Sequence, residues 1–469
     1  MDWTEATLRN ILTKALENGG DFADVFIENR QTLRLVREGE RLDKVNSGTD
    51  RGAGVRVVAN GSTAYAYTND LTETGLLEVA QVVAKAVEDG SSTAVEALTK
   101  RDNQVEINPV IDPRQVELTQ KADLLAKADQ VARAVDSRVA QVTVFYRESV
   151  QDVLIANSRG YWAEDSRTRL ALGLMVVAKD GEIMQTAYES LGGATGFELI
   201  TEESVVEMAR KAASAAVRML TAQPAPAGRM PVVMAAEAGG TMVHEACGHG
   251  LEADLVQKGV SVYAGKIGQQ VAAKGVTVID DATLPNHYGS YRFDDEGEPA
   301  QKKVLIEDGI LKGYMYDLIT AAKDGVTPTG NGRRESYHHR PIPRMSNTFI
   351  APGPDRTEEI IADTDTGLYV TKMGGGEVNT ATGDFVFEVA QGFLIRDGQV
   401  TEPVRGATLT GNGPETLKLI DRIGSDLGFT IGTCGKSGQG APVCDAQPTI
   451  RITELVVGGI AAGEAGEEA

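Results

Sequence analysis

Two widely separated stretches carry nearly the same pattern, Gly54-Val-Arg-Val-Val-Ala-Asn-Gly61 and Gly173-Leu-Met-Val-Val-Ala-Lys-Asp-Gly181. Each is an apolar, β-type run closed by a turn pair, so each demands a hairpin. Asn60-Gly61 turns Val55–Val58 into Thr63–Tyr67, and Asp180-Gly181 turns Leu172–Val177 into Ile183–Tyr188. The flanks repeat as well. Leu8, Ile11, Leu12 and Ala15, ended by Gly19-Gly20, give one amphipathic helix before the first hairpin, and Leu76, Val79, Val83 and Val87 give another after it. Leu124, Ala128, Val131 and Val135, then Val205, Ala209, Ala212 and Ala216, bracket the second hairpin in the same way. Two further β-type runs precede each hairpin: Asp24–Ile27 and Thr32–Val36, then Val142–Phe145 and Val153–Ile155. The order predicts a duplicated helix–four strands–helix unit at 1–90 and 114–220. Two unrelated α+β units would write the same pattern.

The small, proline-bearing stretch Ala222–Gly228 predicts a linker, and the character changes beyond it. One helical segment surrounds 238–257. Short strands with glycine turns follow, among them Lys303–Ile306, Phe385–Val389 and Arg451–Val457. The expected fold class is α+β: an N-terminal α/β region over 1–221, then a β-rich C-terminal domain over 229–469 that carries the helical segment over 238–257. A chain of 469 residues is too long for one hydrophobic core. The tail Gly463–Ala469 is expected to be disordered.

Charge narrows the partners. Lys and Arg total 46 against 67 Asp and Glu, a formal charge of -21. Such a field repels phosphate backbones and anionic lipid, so no nucleic acid and no membrane partner is expected. Three cysteines make no disulfide framework and predict reduced thiols. The start Met-Asp-Trp-Thr-Glu lacks a basic-then-apolar leader, and no stretch approaches the ~20 apolar residues of a membrane span. The expectation is a soluble, cytoplasmic protein.

The chemistry concentrates in His244-Glu-Ala-Cys-Gly-His249-Gly-Leu-Glu-Ala-Asp254. Neutral imidazoles are good zinc ligands, and a glutamate beside one can take a proton from metal-activated water. Familiar zinc helices place the histidines at i and i+4, whereas here they stand at i and i+5. An ideal helix would separate them by ~140° around its axis. A π-type turn would cut this to ~50°, and Gly248 tolerates the distortion. The motif therefore predicts a widened turn between its histidines. Among the cysteines, Cys434 lies in a glycine-rich run beside Lys436, a cation expected to favour its thiolate. It ranks above Cys444, whose flanks suit a buried hydrophobe, and Cys247 is an awkward co-ligand for His244. Gly435-Lys436-Ser437 imitates the end of a phosphate loop, but Thr430 stands where the turn glycine belongs.

His244-Glu-x-x-x-His249-Gly-Leu-Glu-x-Asp254 resembles the motif of the TldD/PmbA family, and specifically its TldD-type zinc metalloprotease branch. The resemblance continues through Asp294-Asp-Glu-Gly, Thr329-Gly-Asn-Gly-Arg-Arg-Glu-Ser336, Gly374-Gly-Gly-Glu, Cys434-Gly-Lys and Gln447-Pro-Thr. It is dense in the C-terminal half and looser around Arg51-Gly-Ala-Gly-Val. It implies one Zn²⁺ per chain, held by His244, His249 and Cys434, with Glu245 as general base. It also implies hydrolysis of unfolded or small peptides by zinc-bound water. The assembly it implies is a homodimer, or a heterodimer with a PmbA-type companion chain.

The basic stretch Arg333–Arg344 contains further candidates. Arg333, Arg334, His338, His339 and Arg340 are expected substrate contacts, against the alternative of a solvated loop paired with surface acids. Asp254 and Glu252 follow the histidines, and orienting an imidazole is their expected role. The competing functional reading is a non-catalytic binding or assembly subunit whose zinc is structural, closed by a fourth protein ligand such as Cys444 or Cys247.

Overall fold

The structure is a computed structural model that describes residues 3–87, 93–103 and 105–459. The extreme N-terminus and the tail expected to be disordered lie outside the described residues.

Helices form where the periodicity places them, at Glu5–Ala15, Glu73–Lys85, Leu118–Val135 and Glu202–Met219. Hydroxyls start three of them. Thr4 accepts from Thr7 N and Thr72 from Gly75 N, while Thr201 and Ser204 form a reciprocal capping box. Three strands, not four, stand between each pair of helices. In the first half these are Phe22–Glu38, Arg41–Ala59 and Ser62–Thr68; in the second, Val139–Asn157, Tyr161–Asp180 and Ile183–Gly193. The polar residues Glu28–Gln31 look like a break in the sequence. Their backbones, however, pair on both sides, Glu28 with Gly52 and with Val153. A central strand satisfies its backbone on two neighbours, so polar side chains do not interrupt it. The paired short runs thus fuse into single long strands.

The halves share one seven-stranded sheet, joined where Phe22–Glu38 runs antiparallel to Val139–Asn157. One face is apolar and covered by helices. Leu8, Ile11, Leu12, Leu76 and Val83 pack on Val25, Ile27, Val55 and Val57. Leu125, Ala128, Val205 and Ala209 pack on Val142, Val144, Leu172 and Leu174. The other face carries Asp24, Glu28 and Arg56 and meets the C-terminal part: Arg56 bonds Asp24 and reaches Glu296 at 2.7 Å, and Glu28 accepts from Tyr337 N.

The remainder is β-rich, as its composition predicts. An eight-stranded sheet contains Gly228–Met234, Thr366–Val378, Asp384–Arg396 and Ile450–Gly458. The expected linker is tied into it, because Gln223–Pro224 runs parallel to Gln399–Arg405 and Ala225 N donates to Arg405 O. A six-stranded sheet ends on the hairpin of Gln439–Gln447 and its edge partner Gly428–Lys436. Between the two sheets lies the core that holds Val243, Ala246, Cys247 and Leu251 of the histidine motif.

Candidate metal centre

The expected single helix over 238–257 is broken into pieces, and the breaks build the site. Thr241–Val243 is one helical turn, His244–Gly248 is a π turn, His249–Leu251 is 3-10, Glu252 is extended, and Ala253–Gln257 is helical again. His249 N donates to His244 O across five residues, so the widened turn demanded by the histidine spacing is present. Close packing holds it. A Cβ on Gly248 would lie 2.2 Å from Met345 Sδ, one on Gly413 would lie 2.1 Å from Ala246 O, and Tyr263 OH donates to that same carbonyl at 2.8 Å.

The widened turn brings the imidazoles to one side, with ring centres 4.9 Å apart and planes near perpendicular at 87°. Cys434 comes from the edge strand Gly428–Lys436 rather than from a loop. Its Sγ lies 3.4 Å from His249 Nε2, and donor atoms of His244, His249 and Cys434 all fall within 4.8 Å of one another. Each imidazole is held from behind by a carboxylate: His244 Nδ1 lies 2.8 Å from Asp445 Oδ1, and His249 Nδ1 lies 2.9 Å from Glu252 Oε2. With Nδ1–H given to a carboxylate, each Nε2, once deprotonated, would offer its lone pair to a cation.

Electrostatics reinforce this donor set. Burial works to raise the Cys434 thiol, but hydrogen bonds from His244 and His249 outweigh it and hold the thiol down to about 5. Burial works to lower His249, and Glu252 with Cys434 lifts it to about 9; Asp445 and Cys434 likewise raise His244. These groups form a thiolate between imidazoliums, a charge pattern that a bound divalent cation would replace by displacing protons. Glu245, half-buried beside them, is raised chiefly by burial and further by Cys434 and Asp445, while His244 and His249 oppose the shift.

Other candidates take different places. Cys247 and Cys444 are both pushed up to about 12 by burial, and Cys247 Sγ donates to Val243 O. Lys436 does not serve the thiolate. It spends its charge on Asp254 Oδ1 at 2.6 Å and Glu252 Oε2 at 3.1 Å, so the histidines stabilise Cys434 instead. Asp254 accordingly pairs with Lys436 and not with an imidazole, because the chain turns extended at Glu252 and aims that residue back at His249. Ser437-Gly438, both at positive φ, form the tight turn of a hairpin, so the apparent phosphate loop opens no helix.

Arg333 and Arg334 are buried rather than solvated. Arg333 donates to the carbonyls of Met345 and Pro442, and Arg334 to the carbonyl of Asp295. His338 and Arg340 are exposed, His339 is half-buried, and Arg340 O accepts from Gln439 beside the hairpin turn. Two residues that support the centre were not singled out from sequence, Asp445 and Arg344. Arg344 is fully buried, donates to Cys434 O and approaches Glu252 Oε1 at 4.0 Å. Both lie far along the chain from the motif they serve, and only the aspartate's place in the run Val443-Cys-Asp445, on the partner strand of Cys434, hinted at it.

Sequence comparisons cover most of the chain. The PmbA/TldA metallopeptidase domain 1, central domain and C-terminal domain match residues 23–94, 111–220 and 227–459. A metalloprotease TldD homolog of Haemophilus influenzae is 38% identical over 97% of this chain and 96% of its own. A metalloprotease of Methanothermobacter thermautotrophicus is 37% identical over 95% and 97%. A zinc metalloprotease TldD homolog of Saccharolobus solfataricus is 29% identical over 96% and 99%. Among solved structures, one from Thermotoga maritima described as a proposed modulator of a DNA gyrase superposes with a TM-score of 0.79 at 24% identity, over 97% of this chain and 100% of that one. TldE from Thermococcus kodakarensis gives a TM-score of 0.79 at 19% identity, over 97% and 100%; both likenesses show a shared fold. The chain belongs to the PmbA/TldD metallopeptidase family.

Proposed function

We propose that this protein is a zinc-dependent peptidase acting on unfolded or small peptides, with one Zn²⁺ per chain held by His244, His249 and Cys434. The observation that carries the reading is the trio of donors within 4.8 Å, His244 and Cys434 buried and His249 half-buried, with both imidazoles braced by carboxylates. Two nitrogens and a sulfur suit zinc, and three protein ligands are the number a catalytic site uses. When bound, zinc supplies Lewis acidity, polarising a peptide carbonyl and making water more acidic.

The protein's own residues do the rest. Glu245, its carboxyl raised by burial, accepts the proton of the attacking water and returns it to the leaving amine. Asp445 and Glu252 fix the tautomer and direction of both rings. A thiolate ligand leaves the site less positive than three neutral ligands would, and Arg344, donating to Cys434 O, restores positive charge at that strand. The edge strand Gly428–Lys436 offers unpaired backbone to an extended peptide, which gives affinity with little sequence selectivity. His338, His339 and Arg340 are the proposed peptide contacts, on a loop bonded to the hairpin turn. Arg333 and Arg334 act indirectly, by holding the hairpin and the Asp295 loop.

We place the protein in the cytoplasm as a dimer, with itself or with a PmbA-type chain. Among the described residues no helix is long and apolar enough to cross a membrane. The test pairs metal analysis with digestion of an unstructured protein such as casein. The reading expects stoichiometric zinc, cleavage abolished by chelator, and a Glu245→Ala variant that keeps its zinc while turnover falls by about 10²–10⁴-fold. Stoichiometric zinc without chelator-sensitive cleavage would favour a structural metal, and retained turnover in the variant would eliminate Glu245 as the base.

A further inference from the structure

Away from the metal centre, a cavity of about 560 Å³ is lined by seven arginines. Ligand sites commonly span roughly 300–1,000 Å³. It lies between the helix-free face of the seven-stranded sheet and the outer face of the Cys434 hairpin, where Thr433 and Pro442 line it. Five of the arginines form a grid on that sheet. Arg30 and Arg34 stand on Phe22–Glu38, Arg147 on Val139–Asn157, and Arg167 and Arg169 on Tyr161–Asp180. Their numbering parity sends all five to one face. Arg34 is directly opposite Arg147, and in the next row Thr32, Ser149 and Arg169 lie side by side. Arg333 and Arg334 close the cavity from the C-terminal part.

Like charges directly opposite in a sheet are destabilising, and this chain has acids to spare. Two of the seven use them: Arg167 pairs with Asp165 at 3.1 Å and Asp295 at 2.6 Å, and Arg334 approaches Asp24 at 3.9 Å. Among the described residues, no carboxylate oxygen lies within 4.0 Å of Arg30, Arg34, Arg147, Arg169 or Arg333. The lining carboxylates are committed: Asp295 to Arg167 at 2.6 Å, Glu335 to Gly440 N at 2.6 Å, and Glu148 to Lys121 at 2.7 Å. Arg169 and Arg333 are 7% and 4% exposed and, among the described residues, bond only carbonyl oxygens, Arg169 those of Tyr288 and Ser290. Burial, then the charges of Arg333 and Arg167, pulls Arg169 down to about 9 against the weaker opposing effects of Tyr288 and Asp165.

We propose that this cavity binds a polyphosphate chain, gripped by the guanidinium grid and the hydroxyls of Thr32, Ser149 and Thr433. Guanidinium forks match phosphate oxygens two at a time, and several unmatched forks around one compact pocket call for a small ligand of high negative charge. The polar part of the lining is dominated by guanidinium groups, so the cavity's charge is what selects its ligand. The site is independent of the peptidase reading.

The test is isothermal titration of the full-length protein with sodium triphosphate, ATP, adenosine and hexaglutamate at constant ionic strength. Titrations are run on the zinc-loaded protein and on Cys434→Ser. One saturable triphosphate site per chain, with affinities agreeing within about threefold between the two proteins, separates cavity binding from chelation of the metal. Arg34→Ser/Arg147→Ser, at two exposed positions where folding does not depend on the side chain, is expected to weaken binding at least about tenfold. ATP equal to triphosphate points to the inorganic chain as the natural ligand, and ATP tighter with adenosine silent points to a nucleotide; either supports the site. No saturable triphosphate binding, wild-type affinity in the double variant, binding lost in Cys434→Ser, adenosine binding as well as ATP, or hexaglutamate binding tighter than triphosphate would each overturn it.

Discussion

Asp445 makes the sharpest test of how the ligands are held. Its Oδ1 lies 2.8 Å from His244 Nδ1, the only side-chain hydrogen bond of the carboxylate among the described residues, while its backbone stays in the ladder between Thr348 and Thr430. Removing the side chain therefore frees one ring without breaking a strand. A hydrogen bond to an ionised partner is worth about 1.5–3 kcal/mol net. At about 1.4 kcal/mol per factor of ten, Asp445→Ala should weaken zinc binding by about 10–100-fold, the range seen when such supporting carboxylates are lost. Asp445→Asn keeps an acceptor and loses only the charge, so its loss should be nearer the lower figure. The assay is competition with a chelating dye of known zinc affinity, beside thermal unfolding of the metal-free protein. The prediction is a large rise in the zinc Kd of the folded protein, with a separate fall in metal-free stability because the buried His244 imidazolium loses its charged partner. Wild-type zinc affinity in folded Asp445→Ala would refute the idea that this carboxylate aims His244 at a metal.

Glu252→Gln should behave differently. Glu252 is fully buried and held to about 2, with burial opposed by Lys436, His249 and Arg344, so neutralising it leaves buried cations unmatched and should cost about 3–5 kcal/mol of stability as well as zinc affinity; urea unfolding of the metal-free variant checks it. Thiolate absorbance of the metal-free protein should titrate near pH 5. The depressed Cys434 is ionised above that pH and protonated below it, while Cys247 and Cys444, pushed up to about 12, stay silent at neutrality; an onset above pH 8 would contradict the site geometry. Gly413→Ala puts a methyl 2.1 Å from Ala246 O and must displace the π turn, so zinc affinity should fall together with about 1–3 kcal/mol of stability, read by dye competition and denaturant unfolding. Zinc at a thousand times its Kd should stabilise the protein by about 4 kcal/mol, an increment that chelator removes; a melting temperature indifferent to zinc would argue against binding to the folded state.

What the sequence made legible was local. The i, i+5 histidine spacing required a widened turn because both rings sit within one short segment, and the π turn follows from that alone. Helices and hairpins were readable from periodicity and turn residues for the same reason. Strand length was not, since whether Glu28–Gln31 breaks a strand depends on neighbours supplied by Gly52 and Val153. The same holds for the joining of the two halves into one sheet. At the metal centre the split is similar. Asp254 lay close in sequence and pairs with Lys436, whereas Asp445, 201 residues from His244, reaches the ring through the strand pairing of the Cys434 hairpin. Charge was misleading for a related reason: a net -21 describes the whole chain and conceals a pocket where three strands align their arginines.

The central claim is tested most directly by an anomalous difference map at the zinc edge from crystals of the zinc-loaded protein. The account predicts one strong peak per chain, about 2.0–2.1 Å from His244 Nε2 and His249 Nε2 and about 2.3 Å from Cys434 Sγ, with no fourth protein ligand. A peak elsewhere, or one closed by a further side chain such as Glu245 or Cys444, would contradict it.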